Sequence, residues 1–281
     1  MDARLLRGRE LLGVRMTIAH QHYDKPLVAD GEAGRVVLFK WLFFPVRLLF
    51  KVWFAFVFFF SLAVLYIPFR VLLYKPSRYR KAFRWMRGWA WFLQCGVGMP
   101  IRVKRLAALP PPPYVVCCNH SSYLDIIHMY NTIPDYFLFM GKYELLRWPL
   151  FNIFFKGMNI TVNRGSRTEA AKSLRRAERA LRDGASIALF PEGTIPQHAP
   201  RMKHFKDGAF TMAIAKQVPI VPVTFINHWR LFGEPTQLLS RGHPGIARAV
   251  IHPHVETTGM TEKDVATLRH RVFDTIEAPL R

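Results

Sequence analysis

The segment Asn119 to Asp125, NHSSYLD, sets a histidine and a carboxylate five positions apart, directly after an apolar run. A neutral imidazole near pH 7 can take a proton from a hydroxyl. A carboxylate on its other ring nitrogen fixes the tautomer and stabilises the imidazolium that forms. Five helical steps would leave the two side chains about 140° apart, so His120 and Asp125 meet only if His120 lies in the turn before a helix that carries Asp125. Such a turn occurs at the end of a strand. No serine or cysteine nucleophile is needed if the hydroxyl attacks directly. A His and an Asp at this spacing also arise by chance, so the rest of the chain must supply the context.

Three further segments supply it. In FPEGT, Phe190 to Thr194, Pro191 and Gly193 force a tight turn after an apolar strand. That turn holds Glu192 and the neighbouring amides at the C-terminal edge of a sheet, where α/β proteins place ligands; the plainer alternative is an ordinary turn with an exposed acid. In NITVNRGSR, Arg164 follows a strand and stands near a helix start and Arg167, a pattern suited to clamping phosphate, although an isolated arginine is commonly just a solvated charge. The fourth segment, VPIVPV at Val218 to Val223, places two prolines in an apolar run and reads as a buried edge strand.

The elements that must position these residues follow from the same pattern. Strands are expected at YVVCC (114–118), YFLFM (136–140), NITVN (159–163), SIALF (186–190), PIVPV (219–223) and ARAVIHPHV (247–255), with helical patterns between most of them. The alternation predicts an α/β domain with a mixed sheet flanked by helices. Ser166 and Glu169 form an S-x-x-E capping box before a stripe of Ala170, Leu174, Ala177 and Leu181, and Gly184 ends that helix. A last helix begins near Thr261 and buries Val265, Leu268, Val272 and Ile276. Pro110 to Pro113 form a stiff boundary, so the domain is expected to occupy residues 114–281.

Upstream lies membrane material. Residues 1–35 form a polar N-terminal segment, and residues 36–75 a membrane-embedded one, whose stretch Val52 to Ile67 carries no charge. Sixteen helical residues rise about 24 Å, less than the roughly 30 Å hydrocarbon core. Pro45 and Pro68 flank the stretch and both ends are basic, so the sequence predicts a re-entrant helical hairpin or two short helices with both flanks in the cytoplasm, against a single transmembrane helix. The apolar segment has no signal-peptide cleavage pattern and is expected to stay attached. Residues 76–109 hold a basic amphipathic helix and linker, in which Phe83, Trp85, Met86, Trp89, Phe92 and Leu93 interleave with Arg78, Arg80, Lys81, Arg84 and Arg87. That pattern suits a membrane interface rich in anionic lipid, or a helix packed on the domain with a solvated basic face.

Composition agrees. Forty Lys and Arg against nineteen Asp and Glu give a formal charge of +21 in a chain that is 51% hydrophobic. This pairing fits an anionic membrane surface, and with no nucleic-acid-binding motif present no nucleic-acid partner is expected. Cys95, Cys117 and Cys118 form no C-x-x-C pattern and read as buried thiols in a reducing compartment.

Taken together and in this order, NHSSYLD, GMNITVNR, FPEGT and VPIVPV resemble the glycerolipid acyltransferase family, specifically the bacterial 1-acyl-glycerol-3-phosphate (lysophosphatidic acid) acyltransferases, over roughly Tyr114 to Val223. The resemblance implies transfer of an acyl group from acyl-CoA or acyl carrier protein to the hydroxyl of a lysophospholipid, with neither metal nor cofactor. It implies His120 as base with Asp125 as its partner, substrate contacts from Arg164, Glu192, Gly193 and Thr194, and a place on the cytoplasmic face of the inner membrane. Asn163 stands where many members have Asp, and Ile195 where many have Arg. The second departure weakens the case for a bare glycerol phosphate headgroup, and Lys203 and Lys206 are candidates to compensate. Asp125 stands where related lipid A enzymes carry Glu, which argues against a lipid A acceptor. Other acceptors, another lysophospholipid or an amino-acid lipid, and a non-catalytic membrane-binding relative are the alternatives.

Overall fold

The computed structural model describes residues 43–147, 150–163, 165–233, 237 and 240–281. Helix α1 (Phe44–Leu73) and helix α2 (Tyr79–Gly96) precede a seven-stranded sheet. Its strands are β1 (Ile101–Arg105), β2 (Val115–Cys118), β3 (Phe137–Lys142), β4 (Ile160–Val162), β5 (Ser186–Leu189), β6 (Ile220–Phe225) and β7 (Ala247–Ile251). Between them lie α3 (Leu124–Thr132), α4 (Ile153–Lys156), α5 (Arg167–Arg182), α6 (Gly208–Lys216) and α7 (His228–Leu231), and α8 (Val265–Glu277) follows the last strand.

The strand order is β1-β7-β6-β2-β5-β3-β4, with every neighbouring pair parallel except β6 and β7. The mixed α/β sheet is therefore as expected. β2 sits at its centre, with all four residues buried. Alternate residues go to opposite faces, as the pleat requires. Val115 and Cys117 join a core with Ile187, Leu189 and Ile220, while Val116 and Cys118 join Phe137, Ala188, Val221 and Phe225 on the other side. A strand covered by apolar groups on both faces reads as a continuous hydrophobic run, which is what YVVCC is.

The segment before the sheet differs from the expected hairpin. α1 is one helix from Phe44 to Leu73 and includes Pro68. Pro45 falls in the first turn, where a missing N–H costs nothing, whereas Pro68 forfeits an internal hydrogen bond at a cost of about 3 kcal/mol. Burial offsets that cost. Phe69, next in the chain, is fully buried, with its ring 5.7 Å from Trp89 and 5.1 Å from Phe154. α2 then runs back along α1, with Trp89 Nε1 donating to Ser61 Oγ (2.9 Å) and Trp53 Nε1 to the Gly96 carbonyl (2.9 Å). The antiparallel helix pair thus forms between the apolar segment and the basic helix.

In α2, Phe83, Met86, Trp89 and Leu93 are buried in the protein core, leaving Trp85, Trp91 and Phe92 exposed; Cys95, expected to be buried, is exposed too, because it falls on the outer face of the helix, while Cys117 and Cys118 are buried. α1 is long and apolar enough to cross a membrane. Its outer face carries Val46, Leu49, Val52, Phe56, Phe60, Val64, Ile67 and Val71, an exposed apolar stripe at helical spacing. Its inner face buries Lys51, Val57, Ser61, Leu62, Phe69, Leu72 and Leu73.

β1 was not foreseen. IRVKR pairs with β7 at the sheet's edge, so the sheet begins before the prolines expected to open the domain. The helix after β4 is capped as its sequence suggests, Ser166 Oγ accepting the Glu169 amide (3.3 Å), but the Glu169 carboxylate turns to Lys172 instead of closing the box.

Candidate active site

Three neighbouring parallel strands, β6, β2 and β5, end at the same edge of the sheet, and the turns that follow them converge. Asn119 fastens the first of these turns to β6, since its side chain donates to the Phe225 carbonyl (3.0 Å) and accepts the Phe225 amide (2.7 Å). His120 follows in that turn, and Asp125 lies in the first turn of α3, the geometry the spacing demanded. His120 Nδ1 is 2.9 Å from Asp125 Oδ2. The same oxygen accepts the amides of Ser121 (2.6 Å) and Ser122 (2.9 Å), the arrangement expected of a carboxylate at a helix N-terminus.

Asp125 is completely buried. Burial on its own pushes the carboxyl up, but hydrogen bonds from His120 and His228 and the electrostatic pull of those rings outweigh it and leave it at about 2. A carboxylate can only accept, so His120 carries a proton on Nδ1, and in the neutral ring Nε2 is then the basic nitrogen. The imidazole is 14% exposed and stacks on Phe190 with ring centroids 4.0 Å apart. A fixed ring with one open basic nitrogen can remove a proton from a hydroxyl brought to it.

Glu192 is not the exposed acid of an ordinary turn. It is 3% exposed; Oε1 accepts the His120 amide and Oε2 the Lys203 amide, both at 2.8 Å. Burial raises its carboxyl to about 7, against the pull of those two amides and with a push from the Asp125 charge. Both oxygens therefore hold backbone, which makes Glu192 a brace between the His120 turn and the 191–206 loop. Gly193 supplies the left-handed conformation the turn needs (φ 79°), with its amide donating to the Phe190 carbonyl (2.9 Å). Thr194 is half-buried beyond it. Lys203 and Lys206 are exposed, and the Lys206 amide donates to the Pro191 carbonyl (3.0 Å).

Arg164 lies outside the described residues. Its neighbour Asn163 follows β4, three strands from β2 on the same edge, about 14 Å away at ordinary strand spacing.

Two site residues escaped the sequence reading. His228 begins α7, and its Nδ1 lies 2.7 Å from Asp125 Oδ1. Its Nε2 lies 3.3 Å from Nδ1 of His128, whose Nε2 is 3.0 Å from the Met99 carbonyl oxygen. A signal existed: INH follows VPIVPVTF as NHS follows YVVCC, so both histidines stand just past the ends of adjacent strands.

Residues 100–226 match the family model described as "Acyltransferase". The chain is 32% identical over 185 residues to the mouse 1-acyl-sn-glycerol-3-phosphate acyltransferase alpha, covering 62% of this chain and 61% of that protein. It is 31% identical over 185 residues to the human protein of the same name, covering 62% of each. The chain thus spans about three fifths of the length of these relatives. The crystal structure of the 1-acyl-sn-glycerophosphate acyltransferase PlsC from Thermotoga maritima superposes with a TM-score of 0.66 at 20% identity, covering 83% of this chain and 94% of that one. His120 and Asp125 thus meet at the head of α3 inside the stretch that is similar to the acyltransferase family model.

Proposed function

We propose that the protein transfers a fatty acyl group from an acyl thioester, acyl-CoA or acyl carrier protein, to the free hydroxyl of a lysophospholipid, foremost 1-acyl-glycerol-3-phosphate, giving phosphatidic acid. The observation that carries this reading is the His120 to Asp125 contact at 2.9 Å, which leaves His120 Nε2 as the open base. Nε2 takes the acceptor hydroxyl proton while the oxygen bonds to the thioester carbonyl carbon. The carbonyl π electrons move onto oxygen, and the His120 imidazolium is balanced by Asp125. When the tetrahedral intermediate collapses, the C–S bond breaks and the sulfur leaves with its electron pair. The proton on Nε2 passes to that sulfur, so the base is restored and no covalent enzyme intermediate is required.

Arg164, Glu192, Gly193 and Thr194 are assigned to the acceptor side, with Glu192 acting by bracing the turn and Arg164 by pairing with phosphate. Names of relatives support the acceptor class, the exposed apolar stripe of α1 supports membrane association, and the basic residues on both sides of α1 are the ground for assigning the domain to the cytoplasmic face of the inner membrane. Ile195 in place of a second cation favours another lysophospholipid or an amino-acid lipid as a competing acceptor.

The test is purified enzyme with labelled acyl-CoA and acyl carrier protein against a panel of lysolipids, read by mass spectrometry, alongside His120→Ala. Turnover should fall by about 10² to 10⁴ in the variant, with folding and vesicle association kept. Near-normal turnover in that variant would remove the mechanism.

A further inference from the structure

Asp125 Oδ1, the carboxylate oxygen turned away from His120, is held by an imidazole 103 positions along the chain. His228 lies just past the stretch that matches the acyltransferase family, and it is fully buried. Its protons can be counted from its neighbours. The Met99 carbonyl can only accept, so His128 carries hydrogen on Nε2. Burial pushes the His128 imidazole well down, which leaves it one ring hydrogen and a bare Nδ1. That Nδ1 faces His228 Nε2, which must therefore donate. On the other side His228 Nδ1 faces a carboxylate and must donate as well. Both ring nitrogens of His228 then carry hydrogen.

We propose that His228 is a positioning residue of the dyad, a buried imidazolium that holds Asp125 through Oδ1 and balances part of its charge while His120 uses Oδ2. This rests on the reading of His120 as the base. Asp125 and His128 on α3 are the titratable groups that face His228, and His120, Cys118 and Glu192 stand around the far side of the carboxylate. Phe225 stacks on the ring at 4.4 Å and keeps the pair dry. Two histidines thus share one carboxylate, one as a standing counter-charge and one free to gain and lose a proton. The counter-charge limits how strongly Asp125 draws a proton onto His120.

Two variants separate position from charge. His228→Asn keeps a donor near the Nδ1 site but removes the cation and the link to His128, while His228→Leu removes the donor too. In H228N the acidic limb of the kcat/KM profile should move to higher pH by about one unit, because an unbalanced Asp125 favours a proton on His120. In H228L kcat should fall by about 10-fold to 100-fold with KM for thioester and acceptor near wild type, and H228N should recover most of that loss. If H228L does not fold in detergent, the H228N pH profile decides alone. An unmoved or downward-moved limb in H228N overturns the proposal, as does a loss confined to KM. His120→Ala, measured in parallel, tells the two readings apart. Full turnover without His120 sinks the base assignment and this proposal with it, whereas an inactive H120A beside an unaltered H228N sinks only the role of His228.

Discussion

The main-chain amide of His120 donates to Glu192 Oε1 at 2.8 Å, so the candidate base is held from behind by an acid 72 positions away. Glu192 sits at about 7, raised from an ordinary 4.5 chiefly by burial. Between those two values the folded protein binds more protons than the unfolded chain, so this group's contribution to stability falls as pH rises from 4.5 towards 7. Glu192→Gln removes that slope and sets an NH₂ group against one of two backbone donors. Melting curves in detergent should show wild type losing ground to the variant as pH rises through this window. Parallel curves would mean that Glu192 titrates at its ordinary value.

Asp125→Asn is expected to do more than lower turnover. The spacing alone suggests an isosteric change that spares the geometry, but this carboxylate accepts four hydrogen bonds, and an amide can satisfy only part of them. Removing a buried charge that has partners costs about 3–5 kcal/mol. The variant should melt well below wild type at neutral pH and, where folded, show a low kcat with little change in acceptor KM. Because Asp125 is lowered from 3.8 to about 2, its contribution is present above 3.8 and is lost as pH falls towards 2, the opposite slope to Glu192. A variant as stable as wild type, or one altered only in KM, would contradict the placement of Asp125 behind the base.

For Arg164→Ala the expected change is a rise in KM for an acceptor with a phosphate monoester, and a smaller one for a lysolipid that lacks it. Equal effects on both acceptors would assign Arg164 a role in holding the fold.

α1 packs on the same unit as the sheet from Lys51 to Leu73, so its outer stripe is expected to lie in one leaflet, with both of its ends on the cytoplasmic side. Cysteines placed at Glu32 and Ser77, in a variant without Cys95, Cys117 and Cys118, should both react with an impermeant maleimide from the cytoplasmic side of sealed vesicles. Reaction from opposite sides would establish a span.

Six of the seven strands were readable because each is an apolar run bounded by turn residues. β1 was not, since an edge strand leaves one side unpaired and IRVKR alternates basic residues that look like linker. The uncharged run from Val52 to Ile67 suggested a hairpin or two short helices because it falls short of the hydrocarbon core and is flanked by Pro45, Pro68 and basic residues. Lys51 is in fact buried, its ammonium donating to the Gln237 carbonyl and Ser240 Oγ, each at 2.8 Å, and a charge satisfied within the protein does not end an apolar helix. His120 and Asp125 were legible because one turn and one helix start hold both. His228 was not, because only the pairing of β2 with β6 brings it near, and spacing along the chain carries no trace of that.

The Lys51 clamp also fixes a length. It joins the apolar helix to the segment that follows α7, the helix that begins at His228, so the site and the greasy stripe of α1 keep a set offset. A protein seated in a bilayer by that stripe, as proposed above, is expected to draw a constant draught, with the dyad at one height above the acyl chains whatever lipid surrounds it. Thickening or thinning the leaflet should then shift the glycerol backbones past that fixed mark, so the proposed acyl transfer is expected to vary with membrane thickness at constant acceptor concentration.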